Sequence, residues 1–213
     1  TSPLIAYQIA PDKALSTIPI FLAVVGTAAA SIPASLLMRR VGRARGFAVG
    51  SAIGVAGGLA CIWGIETAGF LVFCLGALLF GFFSGFAQLS RFAAADVADD
   101  AWRSQAISWV IAGGVIAAVL GPWMATGSQG WVNSELYIGA MVAVLALQIV
   151  TSALLLGLHI PPVSTEHQAI DTRPLAQIMR QPRFLVATLG STISYGIMVF
   201  VMTATPLAMA VEQ

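Results

Sequence analysis

Six uncharged stretches limit the fold of this chain more than any other feature of the sequence. A helix that crosses the hydrocarbon core of a bilayer needs about 20 mostly apolar residues. The stretches are too long, and alternate too little, for the strands of a membrane barrel. The sequence therefore predicts an all-α polytopic membrane protein with six full transmembrane helices, and part of another at residues 3–9. The full spans are expected within residues 14–38, 46–65, 67–90, 104–134, 136–158 and 184–211.

The composition supports the membrane class. Hydrophobic residues make up 58% of the chain and charged residues only 9%, whereas soluble domains are about 25% charged. The net charge of +1 shows no excess of basic residues of the kind that binds nucleic acid, so no nucleic-acid partner is expected. Cys61 and Cys74 lie in apolar runs without metal-ligand spacing, so we expect buried thiols and no metal site.

The basic residues predict the orientation in the membrane. All Lys and Arg residues except Lys13 and Arg91 lie in the loops after the first, third and fifth stretches. Cytoplasmic loops carry such an excess. We therefore expect loops 39–45, 96–103 and 159–183 to be cytoplasmic, and the membrane to be the inner (plasma) membrane of a bacterium.

Residues 159–182 form the longest polar segment and contain several prolines. They predict a cytoplasmic loop between an N-terminal transmembrane bundle, residues 1–158, and the first helix of a second bundle, residues 183–213. Because the chain begins inside an apolar stretch and without methionine, we expect it to be a fragment.

The loop after the first full stretch reads Ser-Leu-Leu-Met-Arg-Arg-Val-Gly-Arg-Ala-Arg-Gly-Phe over residues 35–47. A tight turn between two helices requires Gly42, and the arginines favour an anionic leaflet. The loop resembles the signature G-x-L-a-D-R-x-G-R-[RK]-x-x-[LI] of the major facilitator superfamily. Ser35 and Arg39 replace its usual glycine and aspartate. The matching positions are Leu37, Arg40, Gly42, Arg43 and the apolar Phe47.

This resemblance implies an MFS-type helical bundle built from two related halves. Residues 2–6, Ser-Pro-Leu-Ile-Ala, resemble residues 205–209, Thr-Pro-Leu-Ala-Met. The chain would then run from the end of family helix 1 to the end of family helix 7. The implied function is secondary active or facilitative transport of a small molecule by alternating access.

In such transporters family helices 1, 4 and 7 line the substrate path. Arg91 directly follows the stretch 67–90, and a helix that continues past it places this ionisable residue within the membrane, where it is costly and suggests a function. It could instead extend to the cytoplasmic interface, and the Thr and Tyr hydroxyls could instead bond to backbone carbonyls. The polar candidates for the path are Gln8, Gln88, Arg91, Tyr195, Thr203 and Thr205.

The family also implies a contact between the basic loop and an acidic residue at the cytoplasmic end of family helix 4, where Asp96 lies. We predict that Arg43 pairs with Asp96, with Arg40 and Gly42 as further members of this gating loop. Such a pair would hold the outward-facing state and break on inward opening. Arg39 removes the loop's own carboxylate, so the usual charge relay is incomplete.

Gly121 and Pro122 predict a helix kink and resemble part of a signature of family exporters. An alternative function is therefore proton-coupled drug or metabolite efflux. An alternative of another class is a non-transporting membrane sensor or assembly protein on the same scaffold.

No enzymatic activity is expected. Residues 81–85, Gly-Phe-Phe-Ser-Gly, contain a serine without a suitably placed histidine, and no Gly-rich phosphate loop is present. We expect no cofactor. The expected partners are the small-molecule substrate, the lipid bilayer, the remainder of the transporter polypeptide and a coupling proton. No carboxylate lies near the middle of a predicted span, so coupling uses residues outside this sequence or transport is facilitative.

Overall fold

The uncharged stretches fold into long helices. The computed structural model describes residues 5–6, 9–10, 12–67, 69–98, 101–128, 138–157, 177 and 180–211. Helices and turns account for all the regular structure in these ranges, which confirms the predicted all-α fold. A 3-10 turn, Lys13–Thr17, precedes the first long helix. The α-helices are α1 (Ile18–Val41), α2 (Arg43–Glu66), α3 (Phe70–Gln88), α4 (Ser90–Val97), α5 (Arg103–Gly127), α6 (Ile138–Gly157) and α7 (Pro182–Val211).

Six helical spans of the described residues are long and apolar enough to cross a bilayer, the number expected from the sequence. α3 and α4 together form one of these spans. α5 is exposed along most of its length, with bulky side chains such as Trp109, Val119 and Trp123 on the surface. A soluble protein rarely exposes so much contiguous apolar surface, whereas lipid or a neighbouring bundle accommodates it.

α3 is the central helix of the bundle because it packs closely on both α1 and α2. On the α1 side, a Cβ added to Gly81 would overlap the backbone carbonyl of Ala23, and one added to Gly26 would lie 2.5 Å from the Leu78 carbonyl oxygen. The one hydrogen of the Thr27 hydroxyl is shared between the Ala23 carbonyl of α1 at 2.9 Å and the Gly81 carbonyl of α3 at 3.1 Å. The backbones of α1 and α3 therefore touch, as small residues allow in membrane helices.

The α2 side of α3 is packed in the same way. A Cβ on Gly76 would lie 2.7 Å from the backbone nitrogen of Cys61, and one on Gly57 would lie 2.9 Å from that of Phe80. Gly85, like Gly81, contacts α1. α3 is thus fixed between two neighbours at backbone distance.

Two apolar clusters fill the ends of the bundle. One, at the end near the α2–α3 turn, contains Cys61, Ile65, Phe73 and Ile138. The other lies beneath the basic loop, where Phe47 of α2 and Phe86 of α3 meet residues of α1 and α4. The second cluster supports the charged residues at the predicted cytoplasmic end.

The chain divides into two compact units, Thr1–Pro162 and Val163–Gln213. The first contains α1 to α6, and the second contains α7. Most of the predicted inter-bundle loop, 159–182, lies outside the described residues, so the proposed domain boundaries stay predictions.

Replacing Gly81 by alanine is expected to destabilise the bundle. The added methyl group overlaps the Ala23 carbonyl, so α1 and α3 must separate, at a cost of about 1–3 kcal/mol. Gly113→Ala is the matched control, because its Cβ would have no heavy atom of the described residues within 4 Å. Alanine there should leave stability unchanged or raise it by about 0.5–1 kcal/mol.

Thermal unfolding of the full-length polypeptide in detergent measures both changes. A lower Tm for Gly81→Ala but not for Gly113→Ala supports the close contact. Equal Tm values for the two variants would show that α1 and α3 do not touch at this position.

Candidate functional site

A single residue joins α1 to α2. Gly42 has φ 89° and ψ 159°, a backbone conformation that is essentially restricted to glycine. Its amide donates to the Met38 carbonyl at 3.1 Å, and its carbonyl accepts from the Gly46 amide at 3.0 Å. The glycine requirement that the sequence predicted for this turn is confirmed, and Arg43 becomes the first residue of α2.

Arg43 forms an ion pair with Asp96. The Arg43 Nη2 group donates to Asp96 Oδ2, and the two side chains are 23% and 39% exposed. Asp96 lies in the last turn of α4. The contact predicted from the sequence is therefore present, while its role as a gate stays a prediction.

Both members of this pair lie at the unfavourable end of their helix. The N-terminus of a helix carries partial positive charge and the C-terminus partial negative charge, yet Arg43 begins α2 and Asp96 ends α4. Each misplacement costs about 0.3–1 kcal/mol, and a partly exposed ion pair contributes about 0–1 kcal/mol. The pair therefore contributes little net stability, and it can form and break at low cost.

Arg103 supports the same end of α4. It is the first residue of α5, and its Nε group donates to the Ala95 carbonyl at 3.1 Å. A cation beside the last carbonyls of a helix is favourable. The sequence analysis assigned Arg103 to a cytoplasmic loop and did not predict this contact. The signal that could have predicted it is a basic residue a few positions after the end of a helix.

The other arginines of the basic loop lie in a different environment. Arg39 and Arg40 occupy the last turn of α1, where basic residues favour the helix dipole. Their side chains are exposed, as is that of Arg45. Of the predicted gating-loop arginines, Arg43 is therefore the one that the structure pairs with Asp96.

Gln88 and Arg91 come together at the junction of α3 and α4. The Arg91 Nη2 group donates to Gln88 Oε1, and both side chains are exposed. Leu89 separates the two helices, and its amide donates to the Phe86 carbonyl at 3.0 Å. Phe92, beside them on α4, is 62% exposed. The junction thus presents an amide, a guanidinium and an aromatic ring on accessible surface.

The other predicted path residues are Tyr195, Thr203, Thr205 and Gln8. Tyr195 and Thr205 are exposed on α7, which belongs to the second unit and is described by itself. Thr203 lies on the same helix, and Gln8 lies outside the described residues. Their place on a substrate path stays a prediction.

Pro122 lies inside α5, which continues to Gly127. The Thr126 hydroxyl donates at 3.1 Å to the Pro122 carbonyl, which is a bond within the helix. The predicted kink at Gly121 and Pro122 stays a prediction.

Comparison with known proteins agrees with this arrangement. The family model of the Major Facilitator Superfamily matches residues 1–212. The riboflavin transporter RfnT of Brucella anthropi is 38% identical over 208 residues, which cover 97% of this chain and 52% of that protein. The chain thus spans about half the length of this curated relative. No solved structure matches the chain.

The match extends over nearly the whole chain, and the basic turn and six apolar spans are those expected of the family. The resemblance seen in the sequence is therefore confirmed: this chain belongs to the major facilitator superfamily.

Proposed function

We propose that this chain is part of a secondary transporter that carries riboflavin or a closely similar flavin across the inner membrane of a bacterium by alternating access. The observation that carries this proposal is the 38% identity with a riboflavin transporter over 97% of the chain. An identity that extends through all the described spans favours a related solute over an unrelated one.

The junction of α3 and α4 suits such a solute. The pyrimidine ring of a flavin has two carbonyl oxygens on either side of an N–H group. Arg91 has further N–H donors beyond the one given to Gln88, and the Gln88 amide can donate as well as accept. Phe92, exposed beside them, could stack on the flat ring system. We propose that these three side chains contact the solute.

The Arg43–Asp96 pair is proposed as a gate on the cytoplasmic side. It joins the start of α2 to the end of α4, the helix that follows the Gln88–Arg91 junction. Because the pair contributes little net stability, a small preference of the solute for one state can decide whether it is closed. An ion pair that contributed several kcal/mol would stay closed despite such a small preference, so it would be a poor gate.

Within the described helices, Glu66 and Asp96 are the carboxylates, and each lies in the last turn of its helix. A proton-coupling carboxylate in the middle of the membrane would come from another part of the transporter. The proposal therefore leaves proton coupling and facilitative transport to be separated by experiment.

The substrate proposal is tested by flux of radiolabelled riboflavin into proteoliposomes that contain the full-length polypeptide. Transport should depend on the protein and compete with unlabelled riboflavin. A dependence on an imposed pH gradient would indicate proton coupling, and independence would indicate facilitation. Absence of riboflavin flux in active preparations would overturn the substrate assignment.

Arg91→Ala and Gln88→Ala are each expected to reduce riboflavin transport at least about tenfold, since a lost charged hydrogen bond of about 1.5–3 kcal/mol corresponds to that factor or more. Arg45→Ala is the matched control, because it removes an exposed arginine of the basic loop. Unchanged transport by the Arg91 and Gln88 variants would remove the junction from the solute path.

Exchanging the two charges tests the gate. In the double variant Arg43→Asp with Asp96→Arg, both charges lie at the favourable helix end while the pair is retained. We expect the Tm to rise, in line with about 1–2 kcal/mol, and transport to be kept, because the exchanged charges still pair and the helix dipole acts equally on the open and closed states. Removing the pair by Arg43→Gln should instead weaken the closed state.

Arg45→Asp is the control for the charge exchange. It gains the same helix-dipole benefit in the first turn of α2 without a described contact to Asp96. It should raise the Tm slightly and leave transport unchanged. Wild-type transport in Arg43→Gln would show that the pair is not a gate.

A further inference from the structure

A closed ring of hydrogen bonds lies between α2 and α6. The Gln148 side-chain Nε2 donates to the Ser51 hydroxyl at 3.1 Å, and the Ser152 hydroxyl donates to the Gln148 backbone carbonyl, one turn earlier in α6, at 2.7 Å. The hydroxyls of Ser51 and Ser152 are also hydrogen-bonded to each other. Because Ser152 gives its only hydrogen to the carbonyl, Ser51 is the donor in that bond. The ring therefore begins and ends on Gln148.

Two members of this ring are buried and the third is half-buried. Ser51 is 1% exposed and Gln148 is 7% exposed, and Ser152 is half-buried. Both lie far from the ends of their helices, which are Arg43–Glu66 and Ile138–Gly157. A buried side-chain amide is costly unless it is hydrogen-bonded, so the favourable position of α6 is one in which Gln148 reaches Ser51.

A notch on α2 receives the Gln148 amide. Gly54 follows Ser51 by one helical turn, and a Cβ added to Gly54 would lie 2.9 Å from Gln148 Nε2. Ser51 thus supplies the partner and Gly54 supplies the space. Both the shape and the polarity of α2 match Gln148 at this one position.

The apolar residues around the ring do not define the alignment equally well. α6 consists otherwise mainly of Ala, Val, Leu and Ile, and lipid tails are as apolar as these side chains. A slip by one turn, about 5.4 Å, would exchange one aliphatic contact for another. It would also remove Gln148 from its notch. A single buried polar residue in an apolar helix pair is a known means of fixing register.

Among the described helices, α2 is the main packing partner of α6, which makes only a small contact with α5. α2 in turn begins with Arg43, about two turns before Ser51. The same helix therefore carries the ion pair with α4 and the polar ring with α6.

We propose that Ser51, Gln148 and Ser152 form a register lock that fixes α6 on α2, so that these two helices keep one alignment while the Arg43–Asp96 contact opens and closes. The lock itself is independent of the proposed substrate. Only the statement about opening and closing rests on the proposed transport function.

Disulfide cross-linking measures the register. A Cβ added to Gly58 would lie 3.8 Å from the Leu145 Cβ, which is about the Cβ separation of a disulfide. In the full-length polypeptide with Cys61 and Cys74 changed to alanine, Gly58→Cys with Leu145→Cys should cross-link readily on mild oxidation. The displaced pairs, Gly58→Cys with Met141→Cys or with Ile149→Cys, should react at least tenfold more slowly.

Removing the ring should shift this pattern. With Gln148→Leu, the yield of the 58–145 cross-link should fall, and the yield of one displaced pair should rise by a similar amount. Ser51→Ala is the milder second variant if Gln148→Leu does not accumulate in the membrane. Thr151→Val is the matched control, because Thr151 is exposed and its hydroxyl bonds to Leu147 within α6. An unchanged pattern in both Gln148→Leu and Ser51→Ala would overturn the lock.

Transport is measured on the same cross-linked variant. If α2 and α6 move together, the oxidised 58–145 pair should transport riboflavin at the rate of its reduced form. A loss of transport on oxidation, reversed by reductant, would show that the two helices must slide and would overturn the constant alignment. If the unsubstituted full-length protein carries no riboflavin, the substrate proposal fails, and the cross-linking pattern still decides the register.

Discussion

The close contact of α3 with its two neighbours is the constraint on which the rest of the bundle depends. In lipid, burial of apolar side chains gives little driving force for helix association, and dispersion contacts and interhelical hydrogen bonds provide it instead. Gly26 and Gly81 allow α1 and α3 to touch at the backbone, and Gly57 and Gly76 do the same for α2 and α3. α3 then continues into α4, so its position also determines where Gln88, Arg91 and Asp96 lie.

The charged residues at one end of the bundle are arranged with respect to the helix dipoles. Arg39 and Arg40 at the end of α1 and Arg103 at the end of α4 lie where a helix favours a cation. Arg43 and Asp96 lie where their helices disfavour them, and they compensate each other. The favourable charges stabilise the helix ends, and the opposed pair can change its state without a large effect on stability.

The sequence was sufficient for the helices and for part of the site. Uncharged stretches identify spans because a bilayer excludes charge, and Gly42 identified the turn because its conformation needs glycine. The Arg43–Asp96 contact followed from the family resemblance. The hydrogen bond between Arg103 and Ala95 did not, since it requires the relative position of two helix ends. The ring of Ser51, Gln148 and Ser152 was also missed, because a bond across about 100 residues of sequence leaves no local pattern.

The connection at Gly42 has a consequence for how this protein can vary. A joint of one residue has no spare chain, so it cannot absorb a change in the length of α1 or α2. One residue inserted in the last turn of α1 would turn Gly42 and the start of α2 by about 100° relative to the rest of α1 and point the Arg43 guanidinium away from Asp96. We therefore expect natural variation near this joint to replace side chains rather than add or remove residues.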